Sequence, residues 1–394
     1  MSKTVRKHSW LHTAGVILGT LAGSLAILAA TIYAALNLWP NIGAQAVDTA
    51  RRVVGDQFVA DLENLVLQTE DKLRKLKYGT AQAAPPAPWA SDPAPSAGGK
   101  NASTLNRPVA VQNGRTGWAP APIPPLGSMT GEGQWTAFLQ DEAGNMLAER
   151  TYLQPDPARA YAYAAVVAFD LQATRLHFVL GYDEPRSPVQ VLRSGRIPAA
   201  DLQAGRLLAA FNGGFKTQHG HFGVMTNGVT LIAPRGGMGT VGIYADGTLR
   251  IGAWGTDIAS SPHLLTWRQN GPLIIQNGEI NPHTADNDPL SWGLTVYGAT
   301  ATYRSGLGIS RDGRTLYYAA GPSLTLPALA RALQDAGAYQ AIQLDINNYW
   351  VHFESFQVLA GKIKAVPLLG DMNGVGNHRF LSAYSRDYFY VTTK

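Results

Sequence analysis

Four times between residues 227 and 313 an Asn-Gly or Asp-Gly dipeptide separates two apolar runs: Asn227-Gly228, Asp246-Gly247, Asn277-Gly278 and Asp312-Gly313. Such pairs accept the positive φ that a tight hairpin turn demands, so the flanking runs are expected to lie antiparallel. Apolar stretches at Ala162–Leu171 and Leu176–Tyr182 read as a strand pair, and Leu207–Phe211 as a further short strand. Helix signals are few. Thr325 suits an N-cap, Pro327 falls near the first turn, Leu326, Leu329, Ala330 and Leu333 share a face, and Gly337 marks a stop. A weaker helix is expected at Pro198–Gly205. The fold class is therefore α+β: a large mixed or antiparallel sheet domain with few helices, spanning residues 130–394. No fixed-period repeat is present, which argues against a solenoid or a propeller.

Ahead of that domain the chain changes character. Residues 1–12 form a basic arm with Lys3, Arg6 and Lys7, and Thr13–Leu38 is an apolar run without a charge. At about 1.5 Å per residue this run is long enough to cross a hydrocarbon core of roughly 30 Å. Trp10 and Trp39 bracket it, and no Lys or Arg follows until Arg51. The positive-inside rule then places the N-terminus in the cytoplasm and the C-terminal domain outside, as a single-pass membrane protein. A cleaved signal peptide, with Ala44-Gln45-Ala46 as the processing site, is the alternative. Residues 47–78 read as a helical stalk, with Val54, Phe58, Leu62, Leu65, Leu73 and Leu76 at three- and four-residue steps. Residues 79–129 read as a Pro- and Ala-rich linker, too poor in apolar side chains to order itself.

Several classes of function are excluded or weakened. The chain has no Cys, so thiol nucleophiles and Cys-ligated zinc are ruled out. The formal charge is +5, but much of the excess sits in the N-terminal arm and at Lys72, Arg74, Lys75 and Lys77, so nucleic acid is not an expected partner. Gly237-x-Gly239-x-x-Gly242 spells the dinucleotide fingerprint, yet it precedes a strand and an Asp-Gly turn rather than a helix. Gly-x-Ser-x-Gly, Walker A and His-Glu-x-x-His do not occur.

What remains is a set of scattered polar residues. Asp345 interrupts the apolar run Ala341, Ile342, Leu344, after a helix and a Gly turn. It should fall near the C-terminal end of a buried strand, where sheets present polar groups to a cleft. The alternative is a carboxylate capping the next turn through Asn347 or Asn348. In Phe211-Asn212-Gly213-Gly214-Phe215 the glycines allow amides to approach an anion, or simply make a turn. His219 and His221 would share a side if that segment is extended, and would then suit a phosphate. A divalent metal is the other use of that pair, and no other cofactor is expected. Arg304 opens the hairpin that turns at Asp312-Gly313 and suits a phosphate or carboxylate, or a plain surface position. Asp371, Asn373, His378 and Arg379 cluster in a Gly-rich loop that is either a site rim or a surface turn.

In this order the pieces resemble the phosphodiester glycosidase family. The likeness runs over roughly Ala162–Thr393 and rests on three stretches. These are Asn212–Phe215 with His221-Phe222-Gly223; Arg304–Gly308 with its hairpin and helix; and Gly337–Asp345. Where the family commonly has Gly-Gly-Gly-Ser after the Asp, this chain has Ile346-Asn347-Asn348-Tyr349, whose side chains narrow the space. The resemblance implies hydrolysis of a glycosidic bond to phosphate in a cell-surface glycan. Asp345, Arg304 and Asp371 would then be catalytic, with Asn212, Gly213, Gly214, His219, His221, Asn347 and Arg379 binding substrate. The alternative is a glycan-binding or envelope scaffold module on the same fold, with Tyr349, Trp350 and Phe353 stacking on sugars.

Overall fold

The computed structural model describes residues 53, 55–79, 87–89, 118–286, 292, 297–346, 348–359, 362–375 and 378–394. The basic arm, the apolar run 13–38, most of the linker and Asn347 lie outside the described residues. No helix among the described residues is long and apolar enough to cross a membrane. The chain divides into two units, Met1–Thr69 and Glu70–Lys394.

Helix α1 (Asp56–Gly79) covers most of residues 47–78, the stretch whose spacing reads as helical. In the first unit Asn64 donates back to the Ala60 carbonyl at 2.8 Å, and Phe58 and Leu65 are exposed. In the second unit the last turns of α1 carry i,i+4 ion pairs, Glu70 with Arg74 and Asp71 with Lys75. Asp71 accepts from Arg159 Nε and Nη2, both at 2.8 Å, and Tyr78 stacks on Tyr161 at 5.4 Å.

The strands are β1 (Thr136–Gln140), β2 (Met146–Leu153), β3 (Ala164–Asp170), β4 (Thr174–Val179), β5 (Leu207–Asn212), β6 (Val224–Thr226), β7 (Val229–Ile232), β8 (Met238–Tyr244) and β9 (Leu249–Ala253). They continue with β10 (Leu264–Gln276), β11 (Glu279–Ile280), β12 (Thr302–Ile309), β13 (Thr315–Leu324), β14 (Gln340–Ile346), β15 (Phe353–Leu359), β16 (Lys362–Pro367) and β17 (Tyr388–Thr393). The larger sheet runs β1-β2-β3-β13-β12-β14-β10-β6-β7, with β8 and β11 also paired to β10 and β9 paired to β8; the smaller runs β16-β15-β5-β17-β4. All four Asn-Gly and Asp-Gly dipeptides turn antiparallel hairpins: β6–β7, β8–β9, β10–β11 and β12–β13. Asn227 and Asn277 take φ near 50° there, as the turn chemistry requires.

Two expectations need correction. β3 and β4 are strands but not partners: β3 pairs with β2 and β13, β4 with β17. The turn at Asp170–Thr174 carries the chain from one sheet to the other, and Thr174 Oγ1 donates to the Asp170 carbonyl at 2.8 Å. Pro198–Gly205 makes turns rather than a helix, because Asp201 is drawn away to Arg206 Nε at 2.7 Å and Tyr390 Oη at 2.8 Å. Packing also begins before residue 130. Trp118, Ile123 and Met129 are buried, and the Trp118 indole donates to Thr315 Oγ1 at 3.0 Å.

The core lies in two slabs. Between the sheets, Phe211 stacks on Phe353 at 6.0 Å and lies 4.7 Å from Tyr318, with Phe169, Phe389, Leu307 and Leu344 around them. On the far face of the larger sheet lies helix α2 (Leu326–Asp335), started where Thr325 Oγ1 accepts from Ala328 N at 3.2 Å. Leu326, Leu329 and Leu333 are fully buried, each a contribution of about 1.5–3 kcal/mol. α2 comes close because β12 offers glycines: a Cβ on Gly306 would stand 3.0 Å from Leu333 Cδ1. After α2, Gly337 takes φ 106°, Ala338 N bonds the Leu333 carbonyl, and β14 enters the sheet between β12 and β10.

Candidate functional site

Asn212 ends β5 beside the start of β12 and the end of β14. Its Oδ1 accepts from Tyr318 Oη at 3.1 Å and from His352 N at 3.2 Å, and its Nδ2 donates to Ser305 Oγ at 3.0 Å and to the Gly213 carbonyl at 3.1 Å. That spends the amide on joining the two sheets. Ser305 Oγ passes the connection on to the Asp345 carbonyl at 3.0 Å.

Asp345 stands at the end of β14, buried. Its Oδ1 accepts from Ile346 N at 2.8 Å, and its Oδ2 forms an ion pair with Arg386 Nη2. Burial pushes its pKa up from 3.8 to about 6, against the pull of Arg386 and Lys216 and with some help from Asp387. Arg386, itself 4% exposed, donates to the Gly214 carbonyl at 2.7 Å and lies 4.4 Å over the Trp350 ring. The Lys216 ammonium lies 5.1 Å from the same ring. Lys216 leads into a 3-10 turn, Thr217–His219, held by Glu184, which accepts from Thr217 N and Oγ1 at 3.0 Å each.

A second buried pair lies alongside. Arg268 Nε donates to Asp387 Oδ2 at 2.7 Å, and its Nη1 and Nη2 donate to the Gln269 and Phe215 carbonyls at 2.6 Å each. Gly213 N donates to the Asp387 carbonyl at 3.1 Å. A side chain at Gly213 would meet Asp387 Oδ2 at 2.6 Å, and one at Gly214 would meet Asn270 Oδ1 at 2.9 Å. The two glycines thus make room for buried charge. The Gly213 amide is thus engaged within the protein.

The third member of the neighbourhood is Arg379, on a short 3-10 turn, Arg379–Leu381. Glu354 gathers the backbone amides of that turn, accepting from His378 N at 3.2 Å and Arg379 N at 3.1 Å, while its Oε1 lies 2.9 Å from His352 Nε2. Burial lowers the His352 pKa, which Glu354 partly offsets. Tyr384 feels the fields of Arg379, Arg386 and Asp345 together. The result is one carboxylate of raised pKa that feels two cations, Arg386 and Lys216, with Arg379 joined to the same neighbourhood through Tyr384.

Other sequence candidates fall elsewhere. Arg304 is fully buried on the α2 side of the sheet, opposite in direction to Ser305. Its guanidinium donates to the carbonyls of Leu324 (2.9 Å), Tyr297 (2.8 Å) and Thr300 (3.0 Å) and to Gln343 Oε1 (2.7 Å). Burial pushes its pKa down to about 9. It ties the 297–300 loop to β13 and β14, and no contact joins it to Asp345. Asp371 is exposed and accepts from Tyr303 Oη at 3.0 Å, away from Arg386 and Asp345 in its contacts. His219 and His221 are not on an extended segment: His219 closes the 3-10 turn and His221 follows Gly220 at φ 48°, so the shared-side argument fails. Among the described residues no group of three or more His, Asp or Glu is placed to hold a metal.

Arg386, Asp387, Arg268 and Lys216 were not singled out by sequence. Two signals were present. Arg268-Gln269-Asn270 is a polar triplet inside the long apolar strand β10, and Arg386-Asp387 stands directly before the apolar run Tyr388–Val391. Buried charges are rarely left in strands without a partner.

Fold and cluster together define a two-sheet domain with one packed helix and a buried carboxylate set among cations. Residues 205–345 match the family model described as phosphodiester glycosidase, so the chain carries a domain of that family over this stretch. The matched stretch contains Asn212, Arg268, Arg304 and Asp345; Arg379 and Arg386 follow it. Among solved structures, the catalytic domain of zebrafish N-acetylglucosamine-1-phosphodiester alpha-N-acetylglucosaminidase, auto-inhibited by its pro-peptide, is 15% identical with a TM-score of 0.38, covering 65% of this chain and 86% of that one. A hypothetical protein from Synechocystis is 11% identical with a TM-score of 0.32, covering 66% and 62%. No curated protein matches the chain.

Proposed function

We propose that the domain hydrolyses glycosidic phosphodiesters, releasing a free sugar from a sugar 1-phosphodiester in a cell-surface glycan. The observation that carries this is the Asp345–Arg386 pair on Trp350, with Lys216 beside it. Two cations suit the anionic phosphodiester. In the free protein Asp345 occupies Arg386; bound phosphate takes over that guanidinium and leaves the carboxylate without its counter-ion, raising its basicity.

Water then attacks the anomeric carbon, the bond from that carbon to the phosphate oxygen breaks, and Asp345 accepts the water's proton. The oxygen and its electron pair leave as a phosphomonoester, held by Arg386 and Lys216. A phosphomonoester is a stable anion, so its departure needs no proton, and one carboxylate suffices where two are usual in glycoside hydrolysis. Asn212 and Ser305 position Asp345 through its carbonyl. Thr13–Leu38 is the membrane anchor in this proposal, which places the domain outside the cytoplasm.

The test is release of a chromogenic phosphomonoester from a sugar 1-phosphodiester by the full chain. Turnover that is lost in Asp345→Asn and in Arg386→Ala, with both variants folded, supports the assignment. Sugar binding without turnover by the unaltered chain would instead make it a glycan-binding module.

A further inference from the structure

Arg379 is held in place but incompletely paired. Its backbone is fixed by Glu354, as described above. Its guanidinium lies 5.3 Å from the Tyr349 ring and 5.4 Å from the Tyr384 ring. One edge is occupied, Nη1 donating to the Tyr349 carbonyl at 2.9 Å and to Tyr384 Oη at 3.2 Å. Nη2 is buried and has no acceptor, and no carboxylate pairs with Arg379 among the described residues. The residue is 8% exposed, whereas both flanking tyrosines are only half-buried.

A buried guanidinium with an empty donor and no counter-ion costs free energy that folding alone does not return. The neighbouring cations do not share its condition: Arg386 has Asp345 and Arg268 has Asp387. We propose that Arg379 is the subsite for a second anionic group on the ligand, a carboxylate or phosphate on the sugar, separate from the phosphodiester at Arg386 and Lys216. The proposal deepens the function given above and rests on it for the first anion only. The substrate class becomes an acidic sugar 1-phosphodiester.

The experiment compares three sugar 1-phosphodiesters with the same leaving group, one neutral, one with a carboxylate at C6 and one with a phosphate there. They are given to the full chain and to its Arg379→Gln and Arg379→Lys variants. One charge-assisted hydrogen bond to a buried guanidinium should favour at least one acidic sugar about tenfold or more in KM. That ratio should fall to about one in Arg379→Gln and be partly retained in Arg379→Lys. Which acidic sugar gains identifies the group. A ratio of one in the unaltered chain, or one unchanged in Arg379→Gln, overturns the proposal. Should no sugar be turned over, the hydrolase assignment fails. Calorimetry with the corresponding sugar 1-phosphates then decides the subsite on its own: an Arg379-dependent preference for the acidic sugar supports it, and equal binding overturns it.

Discussion

Replacing Asp345 by Asn should make the protein more stable at high pH than at low pH, relative to the unaltered chain. Asp345 is ion-paired, which suggests the opposite, but burial outweighs the pair and lifts its pKa from 3.8 to about 6. Between those values the native state holds a proton on Asp345 that the unfolded state has released. Native stability is therefore fully present below about 3.8 and is lost as pH rises through about 6. The rise corresponds to ~3 kcal/mol at about 1.4 kcal/mol per tenfold change. Asn mimics the protonated acid and has no such loss. Arg386 lacks its counter-ion both in the variant and in the protonated native protein, so that cost cancels from the pH dependence. The stability difference between Asp345→Asn and the unaltered chain should thus move by ~3 kcal/mol in the variant's favour between about pH 3 and about pH 8. For a unit of this size that is a relative shift of roughly 4 °C in melting temperature. Urea titrations of both proteins across that range give the measurement. A flat difference, or one moving in favour of the unaltered chain, would mean that the Arg386 pair governs the carboxylate, and the case for a base poised near neutrality would collapse.

The same ionisation should govern turnover: kcat/KM of the unaltered chain on a sugar 1-phosphodiester should rise with pH through about 6. A profile that falls over this range would assign Asp345 as an acid instead. Arg386→Ala should reduce kcat/KM about a hundredfold or more by removing the phosphate's main partner. It should also move the ascending limb to higher pH, since the pull holding Asp345 down is gone, with Arg386→Lys recovering part of both. Arg304→Met should lower stability by about 3 kcal/mol or more, because it strips acceptors at Leu324, Tyr297, Thr300 and Gln343 of their donor. Activity per folded molecule should survive in Arg304→Met; its selective loss without destabilisation would return Arg304 to the chemistry.

The hairpins and helix α2 were legible because their signals are local. Asn-Gly and Asp-Gly turns, the Thr325 cap and the Gly337 stop each act within a few residues. Sheet membership was not local, which is why Ala164–Asp170 and Thr174–Val179 read as a pair although the turn between them changes sheets. The site divides in the same way. Asp345 was legible from one carboxylate breaking an apolar strand. Arg386 was not, because its meaning depends on β17 running beside β5, a pairing between segments nearly two hundred residues apart. Arg304 misled because strand alternation sends it to the helix face while Ser305, one residue on, faces the site.

The stretch after Asp345 is where the chain departs from the family pattern it resembles, and the contacts give the departure a role. Glycines there would have left open backbone. Instead Trp350 lies under Arg386 and near Lys216, and Tyr349 offers its ring and its carbonyl to Arg379. Both aromatic rings thus meet guanidinium groups, and a stacked guanidinium is held in plane with its edges turned to fixed directions. Flexible arginines would lose rotamer freedom on gripping an anion; these two have lost much of it on folding. The aromatic residues that follow the carboxylate therefore set the two arginines at fixed positions. A ligand that fits must place its negative charges where those edges point, which is a stricter demand on substrate than an open glycine turn would make.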